Sequence, residues 1–131
     1  MIQGTMQEAE NKEIFIKELD EKTLESVITF VYTGELEVSD NMDVQQMVWA
    51  GHKYELAGFI ELLSFKLKQE KNIKHGTIAD MLIAAFRHNK VDLRAEATER
   101  IRINRNIMKE EEFRQNMKDH GIVLLELIKD L

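Results

Sequence analysis

From residue 44 to residue 131, apolar side chains return every three or four positions and no proline interrupts them. That spacing marks one face of an α-helix, repeated in segment after segment. Val44, Met47 and Val48 make a stripe that leads to Tyr54. Phe59, Leu62, Leu63 and Leu67 make the next, with a break near Leu56 to Gly58 between them. After the punctuating segment KNIKHGT, the residues Ile78, Met81, Leu82, Ala85 and Phe86 form a third stripe, and Leu93, Ala97 and Ile101 a fourth. Phe113 and Met117, then Val123, Leu124, Leu127, Ile128 and Leu131, complete the series. So many stripes predict packed antiparallel helical pairs. A chain of 131 residues, 44% hydrophobic, suits one globular domain with a real core. Gly51 and Gly58 are positions where a neighbouring backbone can approach closely.

Before residue 40 the pattern changes. In EIFIKEL, Glu13 to Leu19, Ile14 and Ile16 alternate with charged residues while Phe15 and Leu19 supply another face, which predicts one strand covered on both sides. Asp20 stands where an N-cap belongs, Glu21 adds a carboxylate to the first turn, and Leu24, Val27, Ile28 and Val31 follow at helical spacing. Gly34 is the expected stop, because glycine most easily takes the left-handed conformation that ends a helix. Leu36 and Val38 then alternate with Glu35 and Glu37 in a very short extended piece, and Ser39 and Asp40 are start signals for the next helix.

Composition excludes several classes of function. Lys plus Arg number 18 against 24 Asp plus Glu, and a net charge of -6 argues against non-specific binding to nucleic acid or to anionic membranes. The absence of cysteine rules out disulfides and cysteine-based zinc sites and suits a reducing compartment. No apolar run approaches the roughly 20 residues of a membrane span. The opening MIQGTMQEAENKE lacks the basic flank and apolar stretch of a secretion signal, so the expected setting is soluble and intracellular.

Catalytic patterns are missing as well. His52, His75, His88 and His120 show no metal-ligand spacing, no phosphate-binding glycine loop occurs, and no carboxylate pair is singled out by an apolar pocket. Neither a cofactor nor an enzyme is expected. The acidic run Glu110 to Glu112 is read as the charged first turn of a helix. Met47 and Met81 lie on apolar stripes and are read as core, whereas Trp49, one position off its stripe, is a candidate for a contact surface.

The stretch FVYTGEL, preceded by EIFIKELDEKTLESVIT and followed by AGHKYEL, resembles the second half of a BTB (POZ) domain. Tyr32, Thr33, Gly34, Ala50, Lys53 and Tyr54 occupy the places of that family's aromatic-Tyr-Thr-Gly helix end and its later Ala-rich turn with Lys-Tyr. Tyr32 and Tyr54 are expected to pack, wedging neighbouring helices. Within the superfamily the chain most resembles the speckle-type POZ proteins. GTMQEAENKEIFIKELD is similar to the segment before their last long strand, and NIKHGTIADMLIAAFRHNKVDLRAEATERI is similar to their post-BTB helices. The resemblance implies an α+β, predominantly helical fold. Residues 1–71 would form a truncated BTB/POZ fold of one or two short strands plus helices, and residues 72–131 a BACK-like (3-box) helical bundle.

It also implies a role: a non-catalytic substrate adaptor of a cullin-RING ubiquitin ligase, located in the nucleus, the cytoplasm or both. The cullin scaffold protein would bind through the BTB domain and the helices after it. Met6 and Glu8, in the tripeptide Met6-Gln7-Glu8, stand at a motif found in cullin-binding relatives, and with Tyr54 they are the candidate cullin-binding residues. Leu19-Asp20-Glu21, Phe59-Ile60-Glu61 and Met108-Lys109-Glu110 fit the same pattern, so location alone discriminates. The alternative for the pair is a Met that closes a helix-to-strand corner beside a solvated Glu. The sequence has no counterpart of the family's first strands and first helix, nor of the MATH domain through which speckle-type relatives take substrate. The other reading is therefore a BTB module for homo- or hetero-oligomerisation, one that competes with full-length adaptors.

Overall fold

The computed structural model describes residues 19–39 and 42–131. Its helices are α1 (Glu21–Thr33), α2 (Val44–Lys53), α3 (Phe59–Gln69), α4 (His75–His88), α5 (Val91–Ile103), α6 (Glu111–Met117) and α7 (Gly121–Asp130), with a 3-10 turn at Arg105–Lys109 between α5 and α6.

The chain begins and ends α1 by the chemistry expected of its sequence. The Asp20 carboxylate accepts the Thr23 N–H at 2.8 Å, and Gly34 closes the helix in the left-handed region at φ 75°. Thr33 completes this end: its hydroxyl donates to the Thr29 carbonyl at 2.6 Å and accepts the Glu35 N–H at 3.1 Å. The Asp20 N–H, in turn, donates to the Gln46 side chain at 2.9 Å, which ties the start of α1 to α2. Phe30 meets Phe59 edge to face with centroids 5.1 Å apart, joining α1 to the start of α3.

Several expectations are corrected. Among the described residues no strand forms, so the α+β expectation finds only helices there. Residues 13–18 of the predicted first strand lie outside the described residues, while Leu19 is buried at a bend just before α1. Over 35–38 the alternation of burial is present, with Leu36 buried and Glu35 and Glu37 exposed, but among the described residues no strand pairs with it. The next helix is capped by Asp43, whose carboxylate accepts the Gln46 N–H at 3.1 Å, and not by Ser39; Asp40 lies outside the described residues. Val31, Phe86 and Ile128 belong to predicted apolar stripes, yet all three are exposed.

The third predicted stripe proves to be more than a stripe. Gly76, Ile78, Ala79 and the continuous run Met81 to Ala85 of α4 are all buried, so this helix is enclosed on nearly every side. It packs against α2, α5, α6 and α7, the first of these from the N-terminal part of the chain and the others from the C-terminal part. Small residues allow close contact: Asn116 of α6 reaches the Gly76 carbonyl at 2.9 Å, over a glycine whose Cβ would lie 3.1 Å from the same amide nitrogen. At the α2 to α3 corner, Gly51 admits Ile60 and Phe59 so closely that a Cβ would stand 2.8 Å and 2.9 Å from them. Gly58 serves differently, as a turn residue at φ 82° with open space around it.

Two polar connections bind the N-terminal helices to those that follow. Asp80 of α4 accepts from Gln45 of α2 at 2.7 Å and from Asn116 of α6 at 3.1 Å. Burial holds its carboxyl above the ordinary carboxylate value against these two amide bonds, with Asp43 adding to the rise. The second connection is Arg100 of α5, whose guanidinium donates to the carbonyls of Leu67 at 2.8 Å, of Lys71 at 3.5 Å and of Glu70. Glu96 holds it from the same helix at 3.0 Å. The end of a helix leaves carbonyls short of donors, and one side chain from another helix serves Leu67 and the two residues just past α3, alongside the Glu70 N–H that reaches Leu67 at 3.2 Å.

Gly51→Ala is expected to destabilise the protein by about 1 to 3 kcal/mol, since the added methyl overlaps Ile60 and Phe59. A shift of the urea midpoint reads this out. Arg100→Ala is expected to cost about 2 kcal/mol by the same measurement, through the loss of its charged hydrogen bonds to Leu67, Glu70 and Lys71.

Candidate interaction surface

The end of α2 carries an organised, partly exposed group of side chains. Trp49 and Lys53 are four residues apart, so they lie one above the other on a single helix face. The Lys53 ammonium stands 4.7 Å from the centre of the Trp49 ring and 5.6 Å from that of Tyr54. The two aromatic rings meet nearly at right angles, 86°, with centroids 6.2 Å apart. Such contacts hold a cation over aromatic faces and keep three large side chains in fixed positions.

Their backbone is fixed as well. The Glu55 N–H donates to the His52 carbonyl at 3.3 Å and the Leu56 N–H to the Gly51 carbonyl at 3.0 Å, the paired bonds of a Schellman stop. The motif places Glu55 in the left-handed region at φ 50°, where a side chain costs roughly 1 kcal/mol or more. Tyr54 is thereby held half-buried at the corner between α2 and α3.

His52, on the same turn, faces His88 at the end of α4 with ring centroids 4.8 Å apart. Burial pushes the His88 imidazole below its ordinary value of 6.5, and the neighbouring His52, Arg87 and Lys90 push it the same way. The contact joins the C-terminal ends of two helices that are far apart in sequence. Among the described residues no group of three or more His, Asp or Glu side chains is arranged to hold a metal ion, and no helix is long and apolar enough to cross a membrane.

The candidate residues fare unequally. Tyr54 takes part in the aromatic cluster, and Trp49, expected at a contact surface, stands half-buried beside it. Met6 and Glu8 lie outside the described residues. Tyr32 does not wedge helices as expected: it is 67% exposed in the last turn of α1, just before the stop at Gly34. Lys53 as the cation of the cluster, and the His52 and His88 pair, were not visible in the pattern. The i,i+4 spacing of Trp49 and Lys53 was the one available signal, while nothing in a sequence links position 52 to position 88.

Neutral His88 fits the fold better than its protonated form does. The unfolded chain therefore takes up the proton first as pH falls through 6.5, and stability drops until His88 also protonates in the folded protein. The urea midpoint is expected to fall between about pH 7.5 and about pH 5.5, and His88→Gln, which cannot titrate, to lose less over the same window. Equal losses in the two proteins would contradict this assignment.

A scan against family models matches residues 1–71 to the BTB/POZ domain. No curated protein matches the chain, and no solved structure does. BTB domains are generally protein-interaction modules, are typically non-catalytic and mediate oligomerisation. With the family model spanning more than half of its 131 residues, the chain belongs to the BTB/POZ domain family.

Proposed function

We propose that this chain acts as an adaptor in a cullin-RING ubiquitin ligase, related to the speckle-type POZ proteins, with residues 72–131 serving as a BACK-like extension of the BTB region at 1–71. The adaptor's contribution is proximity and orientation, which lower the entropic barrier to a reaction carried out by other proteins. Substrate would arrive through a separate MATH-type domain, and the site of action would be the nucleus, the cytoplasm or both.

The observation that supports this reading best is the joining of the helices after residue 71 to those before it. Arg100 closes the end of α3, and Asp80 takes a hydrogen bond from Gln45 of α2. An adaptor that holds a cullin through its BTB domain and the helices after it needs those two parts to be rigid relative to one another. The fixed Trp49, Lys53 and Tyr54 cluster adds side chains of the kinds enriched at interfaces.

A second reading, self-association without a cullin, is favoured by Ile122, Leu125 and Ile128, which stand exposed in sequence order along α7. One titration separates the two. The adaptor reading expects a cullin N-terminal domain to bind in calorimetry, with Met6→Ala and Tyr54→Ala each weakening it by about fivefold or more, roughly 1 kcal/mol. Self-association expects oligomers by light scattering that ignore the cullin.

A further inference from the structure

The overall charge of -6 hides a local reversal. Where α3 ends, α4 begins and α5 runs past them, an open groove of about 740 Å3 has a floor of isoleucines and a rim of lysines. Ile78 and Ile107 are buried in its floor, Ile73 is half-buried, and Ile103 at its edge is 78% exposed. Lys68, Lys71 and Lys74 stand around it, all three exposed, and none makes an ion pair among the described residues. The other charges are largely spoken for: Arg100 is committed to the carbonyls ending α3 and Glu96 to Arg100, which leaves Glu70 as the one acidic side chain on the rim facing three lysines.

We propose that this groove receives a partner peptide in which acidic residues flank an aliphatic anchor. The aliphatic side chains have a place to go, because Ile103 and the half-buried Ile73 present apolar surface to water in the free protein, backed by the buried Ile78 and Ile107. The acidic side chains have complementary charge on the rim, where lysines act as exposed point charges and steer an approaching anion. A single-stranded nucleic acid fits less well, since no Phe, Tyr or Trp lines the groove, His75 being the one ring there, and the protein as a whole repels phosphate. The proposal goes beyond the adaptor reading and does not depend on it.

The test uses the full chain and a fluorescein-labelled peptide with a central leucine pair flanked on both sides by glutamates, followed by anisotropy with no cullin present. Saturable binding is expected, weakening with added salt and dropping by about tenfold or more in the triple variant K68E/K71E/K74E. Those three side chains are exposed and make no ion pair among the described residues, so the variant should melt with the wild type. Ile103→Ser, and separately a peptide with serines in place of the leucines, should each weaken binding through the apolar part alone. The proposal is overturned if the peptide does not saturate, if the charge reversals and Ile103→Ser leave binding unchanged, or if an oligothymidylate binds as tightly and with the same dependence on the lysines.

Discussion

A helix that is apolar on nearly every side can exist in water only if other elements surround it, and α4 imposes that demand on the whole chain. Its buried run from Met81 to Ala85 leaves no face for solvent, so α2 must come from one direction and α5, α6 and α7 from others. The small residues Gly76, Ala79, Ala84 and Ala85 set how near those neighbours stand. The amphipathic helices need only one covered face, and they arrange themselves accordingly. The remaining polar contacts are consequences of that enclosure. Once α2 and α6 both lie against α4, the Asp80 carboxylate is drawn away from water, and Gln45 and Asn116 supply the hydrogen bonds that make its position tolerable.

The enclosure also explains why the end of α2 is an organised surface. One side of α2 is occupied by α4, and Gly51 lets α3 press against the same helix. The residues left facing outward, Trp49 and Lys53, are joined by Tyr54 at the corner, and each restrains the next. A surface restrained in this way loses little side-chain freedom when something binds to it. Interaction modules need that property, and a BTB/POZ domain is such a module.

What could be read from the sequence was mostly what is local. The cap at Asp20, the stop at Gly34, the helical stripes and the buried Met47 and Met81 depend on residues within a few positions of one another, and they stand where the pattern put them. A close approach at Gly51 was legible, although the side chains of Ile60 and Phe59 come near and not a neighbouring backbone, whereas Gly58 looked alike in sequence and serves only a turn. Ser39 misled because Asp43 is an equally good cap and lies nearer the first buried residue, Val44. Tyr32 misled because an aromatic placed by family resemblance need not find a neighbouring helix to pack against. Arg100 and the meeting of His52 with His88 were beyond reach, since both depend on how helices from distant parts of the chain are brought together. Of the candidate site, Tyr54 came from a family resemblance, and its cation Lys53 became apparent only from the ring geometry.

The bond from Arg100 to Leu67 joins residues 33 positions apart, and the carbonyls it serves come first in the chain. At ordinary ribosomal speeds of about 5 to 20 residues per second, that separation corresponds to a wait of roughly 2 to 7 s. During that interval the nascent end of α3 holds its carbonyls toward water, and the apolar face destined for α5 has nothing against it. Vectorial synthesis thus leaves the N-terminal helices unfinished until the polypeptide behind them has emerged, which is the period when a chaperone would find most to hold.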